Sequence, residues 1–367
     1  MLGRLRANLR QLRAALVPMR QRGLSLSGSL LHQLPAALLL RGWRRVAQLL
    51  DARLLNRPLN SARFDSFQQA LPANGLLRVY VIVMPHTLHF LLPCLRLLQH
   101  QMPPVSLVLV ANGAKAWELS LLRDRLPGVP MFRLHTLPGS SLPHGDALSL
   151  LLTHHRGDFL VVDHDAYVFD PTLLSKLSPA PQDSLVAVFE QYSQAAGRHY
   201  PLTHVLALHA EPLRRLMLKH GIDARQYRRA PQRLASALAS IGMGPRRYLK
   251  DYQQFHDTAH VLLGMALAEG WPWRLEAMDE DAPVMHVGGT SIGSHHTKNL
   301  FALYVHLRFL ELLDDAPLIR ERYAFLTWPL RSSVEARLRA APHDPAWQTL
   351  PVLEALMQRL SDLNPKA

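Results

Sequence analysis

The stretch DFLVVDHDAYVF, residues 158–169, decides the fold, because a run of apolar residues leads there directly into acidic ones. FLVV has the length and composition of a strand that is buried on both faces of a sheet. Asp163, His164 and Asp165 follow at the carboxyl end of this strand. If the backbone turns there, two carboxylates spaced two residues apart can converge on one divalent cation. A solvated acidic turn is the alternative interpretation of the same residues.

The segments before this stretch alternate between strand and helix patterns. Residues 79–84 (VYVIVM) and 106–113 (SLVLVANG) are apolar runs of strand length, and residues 129–135 form a third, shorter one. Helical segments separate the strands, and the last of them covers residues 144–155. This alternation predicts an α/β fold with a mostly parallel central sheet flanked by helices. Ligands of such sheets bind at the carboxyl ends of the strands, which is where the acidic motif lies.

The beginning of the chain predicts a basic helical extension. Residues 1–50 contain no Asp or Glu, and leucines recur there at helical spacing, with arginines between them. These leucines are Leu2, Leu5, Leu9, Leu12 and Leu16. Three interpretations stay open: docking on an anionic membrane surface, packing on the domain with the arginines in water, or an organellar transit peptide. No apolar run reaches the roughly 18 residues that would span a bilayer.

The bulk composition limits the classes of function. The 367-residue chain has a formal net charge of +13, which favours an anionic partner or surface. The basic residues outside the first segment form no recognisable nucleic-acid motif, so we expect no nucleic-acid partner. The single cysteine, Cys94, excludes an internal disulfide and fits a reducing compartment. We therefore expect a cytoplasmic protein, with peripheral binding to the inner face of the cell membrane as an option.

From Leu77 to Lys298 the chain resembles the family 2 glycosyltransferases and their relatives with the GT-A fold. Six segments carry the resemblance, and they occur in the order of that family. These segments are VYVIVMPHT, LLPCLRLL, VLVANGA, HGDALSLLLTHHRGDFLVVDHDAYVFDP, FHDTAHVLLGMALAEGW and VMHVGGTSIGSHH. In the same order, they are similar to the first strand with its base-receiving loop, the helix behind that strand, the second strand, the helix and strand with the DxD motif, the acidic acceptor-side motif, and the late histidine segment.

The resemblance implies a glycosyltransferase that depends on Mn²⁺ or Mg²⁺. Such an enzyme moves a sugar from a nucleotide-sugar donor to a hydroxyl acceptor, and we expect inverting, non-processive transfer. A UDP-sugar is the favoured donor, and the expected acceptor is a glycan or a lipid-linked molecule in cell-surface glycan or glycolipid assembly. The expected metal residues are Asp163, Asp165 and His286, with Asp165 as the direct ligand and Asp163 near the ribose or the water shell of the metal.

The resemblance also assigns residues around the metal motif. Asp257 corresponds to the catalytic base, although His256 stands beside it where the family often has Glu. The residues expected to contact the donor are Pro85, His86, Asn112, Asp146, Asp163, His164 and Asp165. His164 is expected to point away from the metal. Further phosphate contacts are expected from His295, His296 and Lys298 in the late loop.

Several of these residues have simpler interpretations. Asp257 precedes an apolar helix, so its carboxylate could cap that helix instead of acting as a general base. His286 could be a core histidine. His295, His296 and Lys298 could belong to an exposed polar loop.

The same patterns divide the chain into three parts. Residues 1–75 are the helical N-terminal extension, residues 76–300 the GT-A-like catalytic domain, and residues 301–367 a helical C-terminal extension. Within the domain, residues 221–250 form a basic helical insertion. This insertion either lines a site for an acidic or phosphate-bearing acceptor or is solvated.

Two other functions stay open on the sequence alone. A metal-dependent phosphoesterase or nucleotidyltransferase could use Asp163, Asp165, His286 and His295 as a metal cluster. A non-catalytic membrane- or nucleic-acid-binding protein with a degenerate GT-A fold is the third interpretation, and His256 in place of an acidic residue allows it.

Overall fold

The computed structural model describes residues 57–101, 103–137, 140–250, 254–288, 290, 300–324, 328–340 and 350–363, together with residues 46 and 50. The chain divides into two compact units. One unit comprises residues 46–288, and the other comprises residues 1–45 with residues 289–367. The predicted amphipathic helix at the start of the chain lies outside the described residues, as do His295, His296 and Lys298.

The unit of residues 46–288 contains helices and strands that alternate along the chain. Its described helices are α1 (Arg57–Ala70), α2 (Leu88–Gln99), α3 (Ala116–Arg125), α4 (His144–His154), α5 (Leu173–Lys176), α6 (Ala210–His220), α7 (Ala235–Ala239) and α8 (His260–Ala268). Its described strands are β1 (Arg78–Val83), β2 (Ser106–Ala111), β3 (Met131–Arg133), β4 (Phe159–Val162), β5 (Ala166–Val168), β6 (Leu185–Ala187), β7 (Glu190–Ser193), β8 (Arg198–Pro201), β9 (Val205–Leu208), β10 (Trp273–Leu275) and β11 (Val284–His286).

Among the described residues, seven strands form one sheet in the order β10-β6-β9-β4-β1-β2-β3. The pairs β1–β2, β1–β4, β2–β3 and β6–β10 are parallel, whereas β9 runs antiparallel to both of its neighbours, β4 and β6. Strand β4 is buried along its whole length, as its unbroken apolar sequence predicts. The structure therefore confirms the predicted α/β fold with a mostly parallel central sheet.

Helix α1 belongs to the same unit as the sheet. The ring of Phe64 is buried and lies edge-on to Phe132 of β3, with 4.9 Å between the ring centroids. The side-chain amide of Asn60 donates to the carbonyl of His135 at 2.9 Å and accepts from its N–H at 2.7 Å. Because these contacts join α1 to the sheet, the domain start predicted at residue 76 falls inside a compact unit.

The described residues from 300 onward are mostly helical. The described helices of this unit are α9 (Leu300–Glu311), α10 (Ala316–Arg322), α11 (Arg331–Arg339) and α12 (Leu350–Asp362). Glu354 of α12 accepts hydrogen bonds from Tyr304 Oη at 2.8 Å and from Arg308 at 2.7 Å, and both donors lie on α9. Within the described part of the chain, no helix combines the length and apolarity that crossing a membrane requires.

Candidate functional site

The acidic motif lies where three distant segments meet at the carboxyl end of β4. Because β9 runs antiparallel to β4, the backbone N–H of Asp163 donates to the carbonyl of His204 at 2.8 Å. The N–H of Ala166 then donates to the Asp163 carbonyl at 3.0 Å, which closes a turn into β5. Strand β5 pairs with β11, and this register places His286 opposite Ala166. His204 and His286 therefore reach the motif from separate parts of the sequence.

Three imidazoles face the carboxylate of Asp163. His204 Nδ1 lies 3.2 Å from Oδ2, and His286 Nε2 lies 3.9 Å from the same oxygen. His144 Nε2 lies 3.7 Å from Oδ1. Ligand atoms of Asp163, His204 and His286 all lie within 4.8 Å of one another, so one metal ion can be bound by these three residues.

Asp165 contacts the same group from a buried position. Its Oδ1 lies 3.3 Å from His286 Nε2, and its carbonyl accepts a hydrogen bond from the Val287 N–H at 3.1 Å. Burial lowers the pKa of His286, but the hydrogen bond and charge of Asp165, together with the charge of Asp163, outweigh burial and raise that pKa. His164, which was expected to point away from the metal, is also buried.

The structure adds a histidine to the predicted metal residues, whereas the predicted division of roles between the two carboxylates stays a prediction. The prediction has Asp165 as the direct ligand and Asp163 nearer the ribose. In the structure the three-residue group is centred on Asp163, because the antiparallel strand β9 brings His204 beside it. His204 was not among the site residues predicted from the sequence. Its only signal was its position directly before an apolar strand, VLAL, which ordinary strand patterns share.

A buried carboxylate joins the loops that follow β1 and β2. The backbone N–H of His86 donates to Glu118 Oε1 at 2.8 Å, and the N–H of Lys115 donates to Oε2 at 2.6 Å. The backbone of His86 has a φ of 67°, in the left-handed region that residues other than Gly rarely adopt. Pro85 and His86 are half-buried. Glu118 therefore sets the conformation of the loop predicted to receive the nucleotide base.

Asn112 holds a second loop at this edge. Its amide nitrogen donates to the Leu142 carbonyl at 2.8 Å, and its amide oxygen accepts from the Leu142 N–H at 2.8 Å. The side chain is fully buried. Asn112 therefore positions the loop at Leu142, and its predicted contact with a donor stays a prediction.

Asp146 lies in the first turn of α4, close enough to Arg225 for the two charges to interact. The helix start approaches the basic insertion very closely at this point. A Cβ at Gly145 would lie 2.4 Å from the carbonyl oxygen of Ala224, so only glycine fits without a shift of the backbone. Asp146 thus faces the basic insertion, and its predicted contact with the donor stays a prediction.

Asp257 lies before α8, and both of its carboxylate oxygens are bound. Gln226 Nε2 donates to Oδ1 at 2.9 Å, the Thr258 N–H donates to the same oxygen at 2.8 Å, and the Lys250 ammonium forms an ion pair with Oδ2. Burial raises the pKa of Asp257, but the charge and hydrogen bond of Lys250, together with the Thr258 N–H and the charge of His260, hold it well below its usual range. The charge of Lys250 also acts on His286, where it opposes the net rise of the His286 pKa. Lys250 therefore interacts electrostatically both with Asp257 and with a histidine of the Asp163 group.

Asp257 is not the N-cap residue of the helix that follows. The N-cap residue of α8 is Ala259, whose φ is 63° and whose N–H donates to the Ala224 carbonyl at 2.7 Å. His256 is buried and exchanges two backbone hydrogen bonds with Tyr227, of 2.9 and 2.7 Å. This bridge attaches the basic insertion to the segment that carries Asp257.

Most arginines of the basic insertion are exposed to solvent. Residues 225–250 contain no Asp or Glu, and their basic residues are Arg225, Arg228, Arg229, Arg233, Arg246, Arg247 and Lys250. Arg225 is half-buried against Asp223, with 3.0 Å between Nε and Oδ1, whereas Arg246 and Arg247 are exposed. The Ala230 N–H donates to the Pro245 carbonyl at 3.1 Å, which brings the two arginine-bearing stretches of the insertion side by side.

Residues 56–213 match the StrH glycosyltransferase N-terminal domain family. The matched segment runs through β9 and includes Asp163, Asp165 and His204, whereas Asp257 and His286 follow it. No curated protein sequence matches the chain. The family match and the sheet topology together support a glycosyltransferase with a GT-A fold.

Several solved glycosyltransferase structures are similar to this chain at low identity. The galactosyltransferase LgtC, in complex with donor and acceptor sugar analogs, is 14% identical, with a TM-score of 0.31 over 38% of this chain and 60% of that chain. The mannosyltransferase PcManGT from Pyrobaculum calidifontis, in complex with GDP-Man and Mn²⁺, is 14% identical, with a TM-score of 0.38 over 89% of this chain and 94% of that chain. TarS from S. aureus is 13% identical, with a TM-score of 0.34 over 65% and 66%. The chain spans 59% and 60% of the length of two LgtC structures that it matches.

Proposed function

We propose that this chain is a glycosyltransferase that moves a sugar from a nucleotide-sugar to a hydroxyl acceptor with the help of a divalent metal ion. The observation that carries this proposal is the group of Asp163, His204 and His286 at the carboxyl end of β4, in a mostly parallel sheet. Two of these residues lie inside the segment that matches a glycosyltransferase family. Ligands of open α/β sheets bind at this edge, so the group lies where a donor would bind.

The residues present fit a divalent ion. One carboxylate and two imidazoles supply the oxygen and nitrogen donors that such ions take in proteins, and Asp165 adds a second carboxylate beside them. An ion held there supplies positive charge to the diphosphate as it leaves the sugar. The loop of Pro85 and His86, held by Glu118, is the proposed contact for the base of the nucleotide.

Transfer also needs a group that takes the proton of the acceptor hydroxyl. We assign this role to Asp257: the acceptor oxygen forms its bond to the anomeric carbon, the bond to the nucleotide diphosphate breaks, and the hydroxyl proton passes to the carboxylate. The ion pair with Lys250 weakens this base, because it holds the pKa of Asp257 low. The anionic diphosphate of a bound donor would compete for the Lys250 ammonium, and a carboxylate released in this way becomes a stronger base.

Nucleotide binding tests the proposal directly. We expect one of UDP, GDP, dTDP or CMP, with UDP favoured, to raise the melting temperature of the protein in the presence of Mn²⁺, because a ligand that binds only the folded state stabilises it. The shift should disappear when the metal is chelated and should be lost in Asp163→Ala, which removes the carboxylate of the proposed metal group. A thermal-shift panel of these nucleotides, with and without Mn²⁺, makes the measurement. If none of the nucleotides raises the melting temperature, the protein has no donor site for them and the proposal is wrong.

The exposed arginines of the insertion favour binding of a negatively charged acceptor. A lipid-linked phosphosugar at the inner face of the cell membrane is such an acceptor. A hydrogen bond to a charged group contributes about 1.5–3 kcal/mol. We therefore expect the double variant Arg246→Ala, Arg247→Ala to raise KM at least about tenfold for a sugar phosphate acceptor. KM for the unphosphorylated sugar should stay unchanged.

Arg215→Ala is the matched control, because Arg215 is an exposed arginine on α6 that pairs with Glu211 at 2.9 Å. It should leave both KM values as in the wild type. An equal effect of the double variant on the phosphorylated and unphosphorylated acceptors would argue against phosphate recognition by this surface.

A further inference from the structure

Strands β7 and β8 form a hairpin that stands outside the seven-stranded sheet. Tyr192 on β7 is 45% exposed, and it is the only exposed residue among the Phe, Tyr and Trp residues that the structure describes. We propose that this hairpin binds a sugar ring of a glycan, away from the hydroxyl group that reacts, and that the sugar stacks on Tyr192. That this glycan is the acceptor rests on the proposed function, whereas binding of the glycan can be measured without it.

The hairpin has one buried and one exposed face, because side chains alternate along its strands. Gln191 and Tyr200 pair across the strands, and the buried Tyr200 donates its hydroxyl to Gln191 Oε1 at 2.9 Å. The Tyr200 ring lies edge-on to His260 of α8, with 5.4 Å between the centroids. This face therefore packs on the domain. Tyr192 pairs with His199 on the opposite face, and both of these residues are exposed.

The exposed face combines an aromatic ring with polar groups. The rings of Tyr192 and His199 meet at 67°, with 5.2 Å between their centroids. His199 Nδ1 lies 3.1 Å from Glu190 Oε1, which keeps the imidazole and the carboxylate together. A pyranose ring presents C–H groups on its faces and hydroxyls around its rim. The negative face of an aromatic ring attracts such C–H groups, and a carboxylate accepts hydrogen bonds from hydroxyls.

The hairpin is anchored at both ends to parts of the proposed site. At its base, the Phe189 ring lies edge-on to His204 of the metal group, with 5.7 Å between the centroids. At its tip, a Cβ on Gly242 would lie 2.2 Å from the carbonyl oxygen of Ala196, so the tip rests on the basic insertion. The hairpin therefore extends from the metal group to the insertion. A surface fixed in this way loses little conformational freedom when a ligand binds.

The length of the hairpin determines which sugar of a glycan Tyr192 would contact. The Leu202 N–H donates to the Phe189 carbonyl at 2.8 Å, so the pairing of the strands continues to Phe189. Strands rise about 3.3 Å per residue, which places Tyr192 about 10 Å along the strand from Phe189. This is farther than a single pyranose ring extends. Tyr192 would therefore contact the second or third sugar of an acceptor, counted from the sugar that reacts beside the metal group.

Binding of free sugars tests the proposal without turnover. The probes are glucose, galactose, mannose and N-acetylglucosamine, each compared with the linear trisaccharide of the same sugar, and saturation-transfer-difference NMR titrations give the affinities. We expect at least one trisaccharide to bind about tenfold more tightly than its monosaccharide, because only the longer molecule fills several positions along the hairpin. Tyr192→Ala should lower the affinity for that trisaccharide about tenfold, the effect of losing one strong contact.

Three further variants separate stacking from unrelated effects. Tyr192→Phe keeps the aromatic face and should bind the trisaccharide within about threefold of the wild type. Glu190→Gln should lower the affinity about threefold, because hydrogen bonds to a charged group are the stronger ones. Leu218→Ala removes an exposed apolar side chain of α6, which follows the end of β9 opposite His204, and should bind as the wild type does. Melting temperatures show whether each variant is folded.

Unchanged trisaccharide affinity in folded Tyr192→Ala would overturn the inference, and so would the absence of trisaccharide binding by the wild type. The outcome is separable from that of the proposed function. Trisaccharide binding that depends on Tyr192, without any nucleotide shift, would retain the glycan site and reject the transferase. A metal-dependent nucleotide shift together with glycan binding that is independent of Tyr192 would do the opposite.

Discussion

Asp163→Asn is expected to lower kcat/KM for sugar transfer by about three orders of magnitude, or roughly 4 kcal/mol of transition-state stabilisation. The carboxylate of Asp163 faces His144, His204 and His286, so the substitution removes the charge around which the group is built. Asn has nearly the same shape, and the backbone bond from Asp163 to His204 does not involve the side chain. Steady-state kinetics at saturating Mn²⁺ make the measurement.

Asp158→Asn is the matched control for this variant. Asp158 lies directly before the first residue of β4, at the opposite end of the strand from Asp163, so the same change of charge is made away from the group. It should keep wild-type kinetics. Turnover of folded Asp163→Asn within about tenfold of the wild type would contradict the assignment. A larger loss in Asp165→Asn than in Asp163→Asn would restore Asp165 as the principal ligand.

Asp257→Asn is expected to lower kcat by about 10²- to 10⁴-fold, because a general base contributes a factor of that size. Nucleotide binding should persist, since the Asp163 group is unchanged in this variant. Asn retains an oxygen that can accept from Gln226 and from the Thr258 N–H, so the local structure should survive. Rate measurements at saturating donor and acceptor, together with nucleotide thermal shifts, separate the two effects.

Glu269→Gln is the matched control, because Glu269 follows the other end of α8 and is also paired with a lysine, Lys219, at 2.8 Å. It should leave the rate unchanged. If Asp257→Asn keeps its turnover, Asp257 is not the general base.

The pH dependence of the reaction tests the same assignment with a second variant. Lys250→Met removes the cation that holds the pKa of Asp257 low. The pH below which kcat/KM falls should therefore move upward in this variant.

Local patterns in the sequence were sufficient to predict the sheet and its acidic edge. The unbroken apolar run of residues 159–162 predicts a strand buried on both faces, and the structure has β4 there with every residue buried. The alternation of such runs with helical segments predicts parallel strands, whose carboxyl ends share one edge. The positions of Asp163 and Asp165 at that edge follow from these patterns, because strand period and length are properties of contiguous residues.

The tertiary structure alone decided which side chains join the acidic motif. His204 lies beside Asp163 because β9 runs antiparallel to β4, and Glu118 reaches His86 because β1 and β2 are neighbours in parallel. Lys250, at the end of the basic insertion, forms an ion pair with Asp257. Contacts of this kind depend on strand order and direction, which no local period encodes. The sequence by itself therefore determined the sheet and the edge at which the site lies, and the packing of distant segments determined its histidines and its ion pair.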